Sequence, residues 1–102
     1  MLYATAEEEI QLNDSIQAIY FYASWMPFHK KMITMIGKIE EKWKEVGFVA
    51  VDVDQFTSQC KRFAVESIPT VVILKGGREV KRITGMPLTS AFRAAFGDIC
   101  TS

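Results

Sequence analysis

The sequence predicts an α/β domain with a mixed central sheet and helices on both faces. Three observations carry this. Residues 17–23 (QAIYFYA) and 47–55 (GFVAVDVDQ) are nearly continuous apolar, β-branched and aromatic runs, the pattern of strands covered on both sides. Between them lies a stretch with apolar residues at helical spacing, so the two strands are joined by a crossover and pair in parallel. Further on, two strand-like runs flank Gly76-Gly77, the residue pair a tight primed hairpin turn needs. That hairpin makes one end of the sheet antiparallel.

Each element can be read in order. "MLYA" is a short first strand. "TAEEEIQLND" reads as a short helix, with Thr5 as its cap and acids in the first turn, where the dipole favours them. After the strand at 17–23, Pro27 suits a first helical position, which predicts a helix from near Met26 to Glu45. Met32, Ile36, Ile39 and Trp43 make its apolar face. Lys38, Glu40, Glu41, Lys42 and Lys44 make its solvated one. Residues 58–66 are expected to form a helix with Cys60, Phe63 and Ala64 on its inner side. In the hairpin 69–85, Arg78, Lys81 and Arg82 keep the outer strand from pairing with other chains. The last helix, Leu88 to Cys100, is expected to turn Leu88, Ala91, Phe92, Ala95, Phe96 and Ile99 inward.

Composition bounds the rest. At 102 residues the chain is expected to be a single domain, residues 1–102, and 49% hydrophobic residues suffice for one core. Twelve basic residues balance twelve acidic ones, so no nucleic-acid partner is indicated. No apolar run reaches the ~20 residues of a membrane span. The N-terminus is acidic and lacks a basic-then-apolar leader pattern, so a cytoplasmic location is expected, and the domain is expected to be a monomer. The only cysteines, Cys60 and Cys100, fit neither a disulfide framework nor a zinc site and read as reduced structural thiols. No phosphate loop, paired carboxylates or Ser-His-Asp set is present, and no cofactor or metal is expected.

Four motifs carry a family resemblance: "YFYASW" before a helix start, "VAVDVDQ", "SIPT" (Ser67–Thr70) and "ITGM" (Ile83–Met86). In this order and spacing the chain resembles the thioredoxin family over nearly its whole length. The N-terminal strand and helix match least well. The resemblance implies the thioredoxin fold, a cis Pro69 facing the site, and a third loop at Met86 beside it. It also implies a Cys-x-x-Cys motif after the tryptophan, and here the chain departs. Met26 stands where the attacking cysteine would be, and His29 where the resolving one would be. Tyr20 replaces an aspartate common beneath the motif, and Ala50 a lysine that some members pair with it. Disulfide reduction needs a thiolate and a second thiol to release the mixed disulfide. A thioether and an imidazole supply neither. Pro27 is shared with the Cys-Pro-Phe/Tyr-Cys of glutaredoxins, but no glutathione-binding pattern accompanies it.

The degenerate motif Met26, Pro27, Phe28, His29 is therefore expected to be catalytically empty. In the resembled family, target peptides lie across the positions that here are Trp25, Met26, Phe28, Ile68, Pro69 and Met86. These imply an apolar surface for a protein or an extended peptide segment. The contrary reading is that Met26 and Phe28 only fill vacated space. His29 is open to three roles: a general base, a metal ligand with Met26, or a polar group satisfied by a hydrogen bond. The leading functional expectation is a redox-inactive binding or scaffolding module. The alternatives are a redox protein using Cys60 or Cys100 alone, and a weak Met/His metal carrier.

Overall fold

The computed structural model describes residues 1–4 and 10–101. The elements are β1 (Leu2–Tyr3), β2 (Ile16–Tyr22), α1 (His29–Lys42), β3 (Val46–Asp52), α2 (Thr57–Arg62), β4 (Thr70–Lys75), β5 (Arg78–Thr84) and α3 (Thr89–Thr101). They build a five-stranded sheet in the order β1-β3-β2-β4-β5. The pairs β1/β3 and β2/β3 are parallel, and β2/β4 and β4/β5 antiparallel. This is the mixed sheet the sequence predicts.

Alternation along the strands divides the core between two faces. Ala18 and Tyr20 of β2 face Met32, Ile36, Phe92 and Phe96 of α1 and α3. Ile19 and Phe21 point the other way, toward Phe56, Cys60 and Phe63 around α2. Gly76 and Gly77 take φ of 61° and 78°, so the hairpin turn uses the left-handed region at both positions. Arg82 does more than guard the outer strand. Its guanidinium donates to the carbonyls of Phe63 (2.6 Å) and Ala64 (3.1 Å) and pairs with Glu79, clasping β5 to the end of α2. Among the described residues, no helix is long and apolar enough to cross a membrane.

Several element limits differ from expectation. α1 starts at His29, three residues past Met26. A turn comes first, with the Met26 amide bonded to Ala23 and the His29 amide to Met26. Pro27 sits in that turn, a place that also suits its fixed φ and missing N–H. α1 also ends at Lys42, where the Trp43 amide caps Ile39. α2 covers 57–62 only. It closes when Ala64 adopts φ 52°, with Val65 N–H on Cys60 O and Ala64 N–H on Lys61 O, a Schellman arrangement. Ala64 is consequently exposed, and Gln59 takes the buried helix position. Leu88 is 76% exposed and Ala91 is exposed too, because both precede the part of α3 that meets the sheet. Of the short helix predicted at 5–14, residues 5–9 lie outside the described residues. Residues 10–15 are not helical. There the Asn13 side chain accepts from the Ser15 amide, and the Gln17 side chain from the Asn13 amide, a local competitor to helix.

Candidate functional site

Where the central strand β2 ends at Tyr22, the chain turns out of the sheet and enters α1. Trp25 is held there at 70% exposure, its indole N–H donating to Asp54 at 2.8 Å. Asp54 is steadied in turn by its own amide bonded to the Asp52 carboxylate. Phe28, the residue before α1, is 48% exposed. Met26 differs from its neighbours: at 6% exposure it is packed into the core face of α1 and α3 rather than projecting. For Met26 the space-filling reading describes the structure, whereas Phe28 stands out from the surface.

Facing this turn is the loop before β4. Its Ile68–Pro69 peptide bond is cis. Thr70 Oγ1 donates to Ser67 O at 2.7 Å, and the Gly85 amide donates to Pro69 O at 2.8 Å. Gly85 takes φ 84°, which suits glycine and lets the chain turn toward Met86. Trp25, Met26, Pro27, Phe28, Ile68, Pro69, Gly85 and Met86 together line a shallow groove of about 270 Å³. All six residues expected to form a partner surface are thus brought to one place. The backbone of Ile68 takes part in none of the turn and loop hydrogen bonds among the described residues.

His29 begins α1 beneath this groove. Its Nδ1 lies 2.9 Å from the Tyr20 hydroxyl, and its ring stacks on Tyr22 with centroids 4.5 Å apart. It is a half-buried polar group with a hydrogen-bond partner. Tyr20 and Ala50 are both buried beneath the motif. Burial drives the Tyr20 phenol well above its ordinary range, with Tyr22 adding to the effect. Cys60 packs on the α2 face of the sheet and Cys100 on the α3 face, and neither is in a disulfide. Burial pushes the Cys100 thiol up, opposite to what activates a nucleophile. Among the described residues no three His, Cys, Asp or Glu side chains are placed to hold a metal.

Sequence reasoning missed the Trp25–Asp54 bond and the Tyr22–His29 stack. The first joins the loops after β2 and β3 and the second the end of β2 to the start of α1, contacts that period and spacing do not encode. Gly85 did leave a signal, a lone glycine after a strand.

A mixed sheet in this order, with a helix start facing a cis-proline loop, defines a thioredoxin-fold domain. Comparisons with known proteins agree. The thioredoxin family model matches residues 3–96. Thioredoxin-2 of Saccharomyces cerevisiae is 33% identical over 73 residues, which is 72% of this chain and 70% of that protein. Thioredoxin H2 of Arabidopsis thaliana is 34% identical over 77 residues, 76% of this chain and 58% of that protein. Among solved structures, mitochondrial thioredoxin 3 of S. cerevisiae in its oxidised form has a TM-score of 0.76 at 31% identity, covering 84% of this chain and 79% of its own. Thioredoxin from Trypanosoma brucei brucei shares the fold with a TM-score of 0.80 at 23% identity, covering 88% and 79%. The chain belongs to the thioredoxin family.

Proposed function

We propose that this protein is a binding module that captures an extended segment of a partner protein in the groove beside Trp25, without disulfide exchange. The observation that carries it is the groove itself. Exposed Trp25 and Phe28 flank the Ile68–Pro69 edge, and the neighbouring motif positions present a thioether and an imidazole instead of thiols. An extended segment can pair with the Ile68 N–H and C=O as an added strand, and such pairing needs no sulfur. Trp25, Phe28 and Met86 then serve as apolar anchors, while Met26 forms part of the floor. The neutral charge balance accords with a protein partner rather than a polyanion.

Immobilised protein tested against a panel of extended peptides examines this reading. Phe28→Ala should weaken capture about thirtyfold, the loss of a ~2 kcal/mol anchor. Its stability should change by no more than roughly 0.5 kcal/mol, as for an exposed side chain. Unfolding by Phe28→Ala would make the ring core. Unchanged capture and stability would make the groove an inherited shape without a role.

A further inference from the structure

All three tyrosines of the chain and its single histidine meet in one cluster of rings. Tyr20 and Tyr22 stack with centroids 5.3 Å apart, Tyr22 and His29 at 4.5 Å, and Tyr20 and His29 at 5.9 Å. Tyr3 meets Tyr22 edge-on at 6.2 Å. The cluster is graded in depth. Tyr20 is wholly buried, Tyr22 is half-buried, and Tyr3 is 50% exposed on the edge strand. Of the three hydroxyls, among the described residues only that of Tyr20 is bonded to an imidazole, Nδ1 of His29 at 2.9 Å.

A phenol that loses an electron becomes strongly acidic. The electron leaves readily only if a base already in hydrogen-bond contact takes the proton in the same step. Neutral imidazole is such a base, since one ring nitrogen carries a free lone pair. We propose that this cluster is a one-electron sink, in which oxidation arriving at Tyr3 comes to rest on Tyr20 as its proton passes to His29. With a peroxyl radical as oxidant, the peroxyl takes the hydrogen atom of the Tyr3 hydroxyl and becomes a hydroperoxide, so proton and electron leave Tyr3 together. The Tyr3 phenoxyl then draws an electron through Tyr22 from Tyr20 and takes a proton from water. The Tyr20 O–H bond breaks, its proton binds Nδ1 of His29, and a neutral phenoxyl radical and an imidazolium remain.

Two further observations fit. Burial holds the Tyr20 and Tyr22 phenols above their ordinary range, the Asp52 carboxylate adding to this at Tyr22. Neither is a phenolate beforehand, so proton and electron must leave together, and only Tyr20 has a base in place. Tyr20 is also fully enclosed, which shields a radical there from solvent and from coupling with a second molecule. The chemistry involves no thiol and stands apart from partner capture.

Flash photo-oxidation of the full chain with ruthenium tris-bipyridine and persulfate tests the proposal. The wild type should accumulate a long-lived neutral tyrosyl radical, read by its absorption and paramagnetic spectra. Tyr20→Phe should abolish the long-lived signal, leaving only short-lived radicals at Tyr3 and Tyr22. His29→Gln keeps an acceptor in place of Nδ1 but removes its basicity, and should shorten the lifetime at least about tenfold. Tyr3→Phe, at a half-exposed position that folding tolerates, should slow the formation of the radical without shortening its life. Equal lifetimes in wild type and His29→Gln, persistence of the radical in Tyr20→Phe, or an unchanged rate of formation in Tyr3→Phe would each overturn it.

Discussion

Tyr20 concentrates the residue-scale argument. The resemblance put a tyrosine where relatives commonly carry a carboxylate, and the structure gives that tyrosine a partner in His29. A buried aspartate would titrate near a thiol pair, whereas a buried phenol keeps its proton across the ordinary pH range. Its folded-state pKa is raised above the unfolded value of 10.0. Tyr22 is raised as well. The unfolded chain therefore releases these protons first as pH climbs. The stability they contribute is fully present below pH 10.0 and declines above it. Thermal melts across that range should show a falling midpoint, and Tyr20→Phe should flatten the fall. A slope equal to that of the wild type would mean Tyr20 ionises freely in the folded state. The part of this site that the sequence revealed is the set of residue types. Which of them touch was hidden, because Tyr22 meets His29 only where the turn after β2 folds back into α1, and Trp25 meets Asp54 only after β2 and β3 are paired.

At the scale of elements, strands were easier to read than helix ends. β2, β3 and the β4–β5 hairpin follow from unbroken apolar runs and Gly76-Gly77, signals that local sequence carries outright. Helix limits depend on which hydrogen bond wins at each end. Pro27 is equally at home in a turn and at a first helical position, so it did not separate a start at Met26 from the observed one at His29. The end of α2 was missed because Ala64 gives no hint of a left-handed conformation. That conformation makes Ala64 the clearest place to gain stability. An L-residue there costs about 1–2 kcal/mol that glycine avoids in part, so Ala64→Gly should stabilise by roughly 0.5–1 kcal/mol. A shift of the denaturation midpoint to higher urea, with unchanged slope, is the expected reading. A shift to lower urea would mean the alanine methyl packs usefully.

The whole molecule sets two thiols on opposite faces of one sheet, and neither stands at a motif position. A bridge needs Cα atoms ~4.4–6.8 Å apart, which two faces of a sheet do not provide. Thiol titration of denatured, unreduced protein should find both Cys60 and Cys100. Finding neither in monomeric protein would contradict the layer assignment. The same arrangement predicts no turnover of insulin disulfides with dithiothreitol as electron source. Met26→Cys with His29→Cys should restore a fraction of it, because a helix start still favours a thiolate. Robust turnover by the unaltered protein would sink the binding-module reading.

The Arg82 clasp has a bearing on how partners arrive. Arg82 pins the chain at Phe63 and Ala64, and Gly85 pins it again at Pro69. The segment carrying Ile68 is strung between these two pegs. Under the proposed capture, a bound segment would meet an edge already set, so little motion would be frozen on contact and little entropy lost. Cutting one peg with Arg82→Gln should leave the groove residues in place yet lower affinity through a larger entropic penalty, visible by calorimetry as a loss in the entropy of binding. If the proposed capture holds, its affinity is then set in part by a residue that the bound segment does not touch.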